Sequence, residues 1–172
     1  MIQEQVILVD SNDTETGVME KMEAHQKAVL HRAVSVFIVN SKGEWLLQRR
    51  ALGKYHSNGL WTNTCCSHPK PGEPSIDAAH RRLMEEMGMK AKLRKLFHFI
   101  YKESLDNELT EYELDHVFVG ISDDEPNINT EEVLSWKYVN YHALKQDIAE
   151  NPENYTVWFL KIVERVHQHL KE

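Results

Sequence analysis

The chain has 172 residues, which is enough for one domain with a full hydrophobic core and too few to require two, so we expect a single domain over residues 1–172. Hydrophobic residues make up 41% and charged residues 27%, as in soluble globular proteins, and the formal net charge of -7 argues against non-specific nucleic-acid binding. Residues Met1 to Gln5 lack the basic and long apolar regions of a secretory leader, and no run approaches the ~18 apolar residues of a membrane span. We therefore expect a cytoplasmic protein without a membrane or nucleic-acid partner.

The first third of the chain predicts strands around a hairpin. Gln5 to Asp10 is typical of a first strand, and Ala33 to Val39 is apolar and alternating. The turn signal Asn40 to Gly43 connects it to a returning strand from Glu44 to Arg49. These elements place two basic residues, Arg50 and Lys54, at the far end of the hairpin.

Two histidines precede this hairpin, at positions 25 and 31. His25 and His31 are six residues apart, whereas neighbours on a helix face are three or four apart. If both bind one metal, the chain must bend between them. The basic residues Arg50 and Lys54 at the hairpin's end have two interpretations, a solvated edge that discourages aggregation or a site that binds phosphate.

A stretch from Trp61 to Pro69 carries both cysteines and a histidine in a predicted loop or short irregular strand. Cys66 and His68 lie two residues apart, a spacing that suits acid/base chemistry or metal binding, although a buried core cysteine is the commoner case. Cys65 and Cys66 are adjacent and lack paired Cys-x-x-Cys spacing, so we expect reduced thiols.

A helix is predicted from an N-cap at Ser75 to a stop at Gly88. Its polar face carries two arginine–glutamate pairs spaced four residues apart, which are Arg81 with Glu85 and Arg82 with Glu86. For a helix of unknown placement, an ordinary salt-bridged face is the more common interpretation.

A strand predicted from Thr110 to Ile121 places Glu111 and Glu113 on the same face. Two adjacent carboxylates need a cation or a proton between them if they are buried, and an exposed edge strand is the alternative. Strands over Lys92 to Tyr101 and Glu132 to Val139 flank it in sequence.

Two closing helices are predicted, from Tyr141 to Glu150 and from Tyr155 to Leu170, which completes the element order of an α+β domain. Trp158 lies beside the apolar stripe predicted for the last helix. Its ring either packs in the core or forms an aromatic wall for a ligand. The predicted stripe consists of Val157, Leu160, Val163, Val166 and Leu170.

The segment from Ser67 to Met89 resembles a Nudix box, with Ser67 in place of the first glycine and Arg82 in place of a glutamate that Nudix hydrolases carry. The other box positions match: Glu73, Arg81, Leu83, Glu85, Glu86, Gly88 and Met89. Together with Trp-Thr-Asn-x-x-Cys-x-His-Pro, Arg-Arg-Ala-Leu and a Glu-x-Glu strand, this box resembles the type I isopentenyl-diphosphate isomerases over nearly the whole chain. The resemblance implies a Nudix-like mixed β-sheet core flanked by helices.

The resemblance also implies roles for individual residues. Cys66 and Glu113 correspond to the catalytic pair, with Tyr101 beside the acid. One divalent metal, Mg, Mn or Zn, would be held by His25, His31, His68, Glu111 and Glu113. A second ion, Mg²⁺ on the diphosphate, would be held by Glu86, and no flavin is implied. The residues implied in substrate binding are Lys21, Arg50, Lys54, Arg82 and Trp158.

The expected reaction is metal-dependent interconversion of isopentenyl and dimethylallyl diphosphate in isoprenoid biosynthesis, through a 1,3-allylic proton shift. A Nudix hydrolase of a nucleoside or prenyl diphosphate is the alternative, but it leaves Arg82 and the Cys66–His68 stretch without a role. A third interpretation is a binding domain with a structural metal, which predicts an unreactive Cys66.

Overall fold

The computed structural model describes residues 3–171, which form a mixed sheet with helices on both faces. The strands are β1 (Gln5–Val9), β2 (Glu15–Glu20), β3 (His31–Val39), β4 (Trp45–Arg50), β5 (Trp61–Thr62), β6 (Cys65–Ser67), β7 (Leu93–Ser104), β8 (Thr110–Ile121) and β9 (Val133–Val139). The helices are α1 (Lys21–Lys27), α2 (Ser75–Met87), α3 (Tyr141–Glu150) and α4 (Val157–Leu170). The predicted α+β fold class is therefore confirmed.

Strand β3 is the centre of the sheet. It pairs in parallel with β8 along its whole length, and it pairs antiparallel with β1, β4 and β6. Strand β7 extends the sheet beyond β8, and β9 pairs antiparallel with β4. The strands that carry the predicted functional residues are thus neighbours of β3 or of β8.

The side chains of β3 alternate between two apolar layers, as the period of two in a strand requires. Val34, Val36 and Ile38 pack on the side of α2, against Leu83 and other residues of that helix. Phe37 faces the opposite side and packs with residues of α3 and α4. The sheet is therefore buried on both faces along β3 and β8, and the Glu-x-Glu segment of β8 is not an exposed edge.

Three local predictions differ from the structure. The N-cap of α2 is Pro74 rather than Ser75, and no side chain caps the helix; its predicted stop at Gly88 is confirmed, with φ of 62°. No strand is predicted between Asp10 and Ala33, whereas β2 spans Glu15–Glu20. Helix α4 begins at Val157, and its buried face is rotated from the predicted stripe toward Trp158, Phe159 and Ile162. The two adjacent aromatic side chains fill more of the core than the valine and leucine of the predicted stripe, so they determine which face is buried.

None of the helices within residues 3–171 is both long and apolar enough to cross a membrane.

Candidate active site

Strand register brings the predicted polar residues to one end of the sheet. His31, the first residue of β3, lies opposite Glu113 of β8, and Tyr101 of β7 lies opposite Glu113 from the other side. Cys66 of β6 pairs with Ser35 of β3. Residues from four strands therefore surround the same space.

His25 reaches this space from α1, and the chain then turns before β3. Ala28 ends α1 in the left-handed conformation at φ of 54°, which provides the bend that a shared site for His25 and His31 requires. The Nδ1 atoms of His25 and His31 each lie beside a backbone carbonyl, of Lys21 at 2.7 Å and of Val29 at 2.8 Å. Because a carbonyl accepts, each Nδ1 carries the proton, and in a neutral ring the Nε2 lone pair points into the cluster.

Both carboxylates of the Glu-x-Glu segment face these imidazoles. His25 Nε2 is 3.7 Å from Glu111 Oε1, His31 Nε2 is 3.6 Å from Glu113 Oε2, and His68 Nε2 is 2.9 Å from the same Glu113 oxygen. The Tyr101 hydroxyl lies 2.9 Å from Glu111 and 2.8 Å from Glu113. Side chains that were predicted from separate motifs are thus in direct contact.

Burial lowers the pKa of His31 and of His68, in each case to about 3. Burial alone would raise the pKa of Glu111, but His25 and His56 hold it well below its usual value. Neutral imidazoles at His31 and His68 therefore lie beside an ionised Glu111, the protonation states in which these groups bind metal ions, whereas contact with Glu111 raises the pKa of His25 despite its burial.

The donor set fits a divalent cation. The ring nitrogens that His25, His31 and His68 can offer to a metal, one from each residue, all lie within 4.8 Å of one another. Those of His25 and His31 are buried and have no hydrogen-bond partner among the described residues, a costly state that a bound ion would relieve. Imidazole nitrogens with carboxylate oxygens suit Zn, Mn or Mg.

A cavity of about 40 Å³ lies beside this cluster, lined in part by Cys66, Glu113, Tyr101 and Trp158. The Cys66 thiol donates to Asn63 Oδ1 at 3.0 Å, and the Trp158 indole donates to Cys66 Sγ at 3.2 Å. Burial raises the pKa of the Cys66 thiol to about 12. A neutral thiol and a carboxylate therefore line the same small space.

A second cavity, of about 80 Å³, adjoins the first and is strongly basic. Four cations from three segments of the chain line it: Lys21, Arg50, Lys54 and Arg82. Two carboxylates share this space. Glu4 pairs with Lys21 at 2.6 Å, and Glu132 pairs with Lys54 at 2.5 Å. The Nε atoms of Arg50 and Arg82 are buried without a hydrogen-bond partner among the described residues, so both guanidinium groups have a donor free for an anion.

Helix α2 supplies the remaining predicted ligand. Glu86 is buried 3.4 Å from the Arg82 guanidinium, its Oε2 has no hydrogen-bond partner among residues 3–171, and burial raises its pKa to about 7. Arg81 forms a two-point ion pair with Glu73, at 2.8 and 2.9 Å, which fixes the loop before α2 against the helix. The two arginines of the predicted polar face thus have different surroundings, one tied to a loop and one facing the basic cavity.

Comparison with known proteins agrees with this geometry. A NUDIX domain model matches residues 29–159. An isopentenyl-diphosphate Delta-isomerase of Pectobacterium atrosepticum is 54% identical over 155 residues, which cover 90% of this chain and 87% of that protein. The isopentenyl-diphosphate Delta-isomerase 2 of Aromatoleum aromaticum is 49% identical over 165 residues, which cover 96% of this chain and 87% of that protein. The chain belongs to the isopentenyl-diphosphate Delta-isomerase family.

The fold of this family member is also similar to solved structures. The crystal structure of DR0079 from Deinococcus radiodurans superposes with a TM-score of 0.79 and 21% identity, covering 94% of this chain and 98% of that one. The MutT protein from Methanosarcina mazei superposes with a TM-score of 0.67 and 20% identity, covering 83% and 96%. At these identities the likeness concerns the fold alone.

For this isomerase-family chain, the structure brings the predicted residues into three adjoining groups. The metal-ligand candidates form the His/Glu cluster, and the predicted catalytic pair, Cys66 and Glu113, lines the small cavity with Tyr101 and Trp158. The four cations line the basic cavity, and Glu86 lies beside Arg82. Trp158 is 4% exposed and therefore packs in the core, and it also lines the small cavity; a role as an aromatic wall for a ligand stays a prediction. Its ring is also contacted by the Arg50 guanidinium, 5.2 Å from the ring centroid.

Sequence reasoning missed three residues of the site. His56 lies in the cluster, with Nε2 3.2 Å from Glu111 Oε1. Ser35 donates to Asp115 at 2.6 Å and lies 3.6 Å from Cys66 Sγ, and burial raises the pKa of Asp115 to about 7. The only signal for Asp115 was its place two residues after Glu113, on the same face of a buried strand.

Proposed function

We propose that this chain interconverts isopentenyl and dimethylallyl diphosphate by adding a proton at one carbon of the alkene and removing one from another. The observation that carries the proposal is the placement of Cys66 and Glu113 on the walls of one small cavity that adjoins a cavity with four cations. A substrate with an apolar reacting end and a diphosphate end matches this pair of cavities. The names of the relatives support the same reaction.

The two protons are exchanged with Cys66 and Glu113. Protonation of the terminal alkene carbon of isopentenyl diphosphate creates a tertiary carbocation, and loss of a proton from the carbon on the diphosphate side forms the new double bond. One of the two residues supplies the first proton and the other accepts the second, so the reaction needs no oxidant or reductant. Cys66 belongs to β6 and Glu113 to β8, so the donor and the acceptor come from different strands.

The surroundings of the cavity protect a carbocation from water. Cys66, Tyr101 and Trp158 contribute its walls, and Tyr101 and Trp158 are buried. The Trp158 indole donates its N–H to Cys66, which orients the thiol, and its π face can stabilise positive charge by about 2 kcal/mol when desolvated. Tyr101 positions Glu113 through their 2.8 Å contact.

His25, His31, His68, Glu111 and Glu113 would hold one divalent cation, Mg, Mn or Zn, in this function. The cation supplies positive charge that allows two adjacent buried carboxylates to remain ionised. The imidazoles of His31 and His68 flank the same oxygen of Glu113, and they orient that carboxylate toward the small cavity.

Lys21, Arg50, Lys54 and Arg82 bind the diphosphate in this proposal, with Glu86 as the protein ligand of a Mg²⁺ ion on it. The free Nε donors of Arg50 and Arg82 are the strongest support, because a buried guanidinium donor without an acceptor is costly. The basic cavity therefore anchors the end of the substrate that does not react.

Proton and phosphorus NMR of isopentenyl diphosphate incubated with the protein and Mg²⁺ in D₂O tests the proposal. We expect dimethylallyl diphosphate with deuterium at the allylic positions and an intact diphosphate. Release of phosphate or pyrophosphate from an unchanged alkene would instead establish a hydrolase. An unchanged substrate, with Mn²⁺ or Zn²⁺ also supplied, would overturn both activities and favour a binding domain.

A further inference from the structure

His56 is a buried member of the His/Glu cluster that neither the sequence patterns nor the family resemblance identified. Its side chain is 1% exposed, and its ring lies 6.1 Å from the ring of His25 and edge-on to Trp158 at 5.7 Å. The ring of His56 lines the small cavity, as residues of the His/Glu cluster also do. A buried imidazole in this position needs a partner for each nitrogen.

Only one of its two nitrogens has such a partner. His56 Nδ1 lies 3.0 Å from the Ser57 hydroxyl, whereas Nε2 has no hydrogen-bond partner in the described part of the chain. Glu111 Oε1 lies 3.2 Å from this nitrogen, but the two atoms form no hydrogen bond. The two atoms therefore approach each other closely without bonding to each other.

This spacing is the one expected of two atoms that bind the same ion. Ligands about 2.1 Å from an octahedral cation are about 3.0 Å from their neighbours. His56 Nε2 and Glu111 Oε1 are 3.2 Å apart, and His68 Nε2 and Glu113 Oε2 are 2.9 Å apart. The ligand atoms of His56, His25 and Glu111 all lie within 4.8 Å of one another, as do those of His25, His31 and His68. His25 belongs to both triads, which joins them into one cluster.

We infer that His56 is a further protein ligand of the divalent cation, binding through Nε2 and raising the number of protein ligands from five to six. The inference rests on the cation site of the proposed function. A proton on Nδ1, donated to Ser57, leaves the Nε2 lone pair for the ion, as the backbone carbonyls do for His25 and His31. Six protein ligands would leave an octahedral cation no position for water or substrate, and its role would be to fix the carboxylates.

Manganese binding to the metal-free protein provides the test, because Mn²⁺ reports both its affinity and its bound waters. Free Mn²⁺ is measured by electron paramagnetic resonance, and the waters on the bound ion are measured from water proton relaxation. His56→Ala removes the proposed ligand, and His56→Leu removes it while filling the space. His25→Ala tests the cation site itself. His116→Ala is the matched control, because it removes a buried histidine that pairs with Asp13 outside the cluster.

We expect the wild type and His116→Ala to bind Mn²⁺ without inner-sphere water. His56→Ala should bind it at least about 10-fold more weakly, since even the loss of an outer partner of a ligand costs that much, and it should gain one inner-sphere water. Weaker binding with an unchanged water count in both folded His56 variants would make His56 an outer partner and overturn the inference. Unchanged affinity in these variants, with binding lost in His25→Ala, would also overturn it and leave the five-ligand site standing. Failure of the wild type to bind Mn²⁺ would overturn the cation site as well.

Discussion

The small cavity and the basic cavity share walls but differ in how their charged groups are paired. Both are lined by Arg50, Tyr55, Cys66, Ser67 and His68. The basic cavity adds three cations, and its carboxylates are already paired with lysines. The small cavity adds Glu111, Glu113 and Asp115, which are held by hydroxyl groups and imidazoles rather than by lysine or arginine.

This difference separates anchoring from chemistry within one continuous site. Cations that contact the unreactive diphosphate stabilise the ground state and the transition state alike, and their removal raises KM. Groups that exchange protons with the alkene act in the transition state, and their removal lowers kcat. Variants on the two sides of Cys66 should therefore give different kinetic signatures.

The largest effect should come from the proton-exchanging pair. Cys66→Ala and Glu113→Gln should each lower kcat by at least about 1,000-fold, because each removes a group that gives or takes a proton. Steady-state kinetics with isopentenyl diphosphate would measure this. Cys65→Ala is the matched control, since Cys65 is the adjacent thiol but lies in the core beneath α2. Near wild-type turnover in either folded site variant would refute the assignment.

A smaller loss of kcat should follow from Tyr101→Phe. The Tyr101 hydroxyl lies between Glu111 and Glu113, and its loss leaves both carboxylates less well oriented without removing either. We expect kcat to fall about 10-fold to 100-fold, the cost of a hydrogen bond to a charged group, with KM within about threefold of wild type. Tyr112→Phe is the control, because Tyr112 lies between the two glutamates on the opposite face of β8. Equal losses in the two variants would mean that the effect is structural.

The sequence was sufficient for the elements with regular periods and clear turn signals. The bounds predicted for β8 and α3 are those of the structure, because alternation and an Asn-Pro stop define them locally. The buried face of α4 could not be predicted by spacing alone, since the choice between neighbouring stripes depends on how Trp158 and Phe159 pack against other elements. The local sequence pattern indicates an apolar stripe, but packing against the other elements of the core determines which face of the helix is buried.

The same distinction applies to the candidate site. The period of a strand placed Glu111 and Glu113 on one face, and helical spacing placed Arg82 near Glu86. The other groupings came from family resemblance, because no local rule connects His25 to Glu111 across 86 residues. His56 was missed for that reason: it matches no motif, and its contact with Glu111 arises only from tertiary packing.

On the basic side, Arg50→Gln should raise KM more than it lowers kcat. Arg50 has no carboxylate within salt-bridge distance among the described residues, and its buried Nε is free, so the diphosphate would be its first anionic partner. We expect KM to rise about 10-fold to 100-fold, the value of a charge-assisted hydrogen bond. Arg49→Gln is the control, because Arg49 is the adjacent arginine and is exposed. A loss confined to kcat would contradict the proposed division of roles.

The smallest effect should come from Lys54→Met in the same cavity. Lys54 already has a partner in Glu132 at 2.5 Å, so a diphosphate gains its charge only by competing with that carboxylate. We expect KM to rise less than about fivefold, because the variant also frees Glu132 to pair with Arg82, now 3.6 Å away. Glu132→Gln should lower KM by a similar factor, since it leaves both cations to the substrate. If Lys54→Met instead raised KM as much as Arg50→Gln, existing ion pairs would not control how strongly each cation binds the diphosphate. Only the number of cations in the basic cavity would then matter.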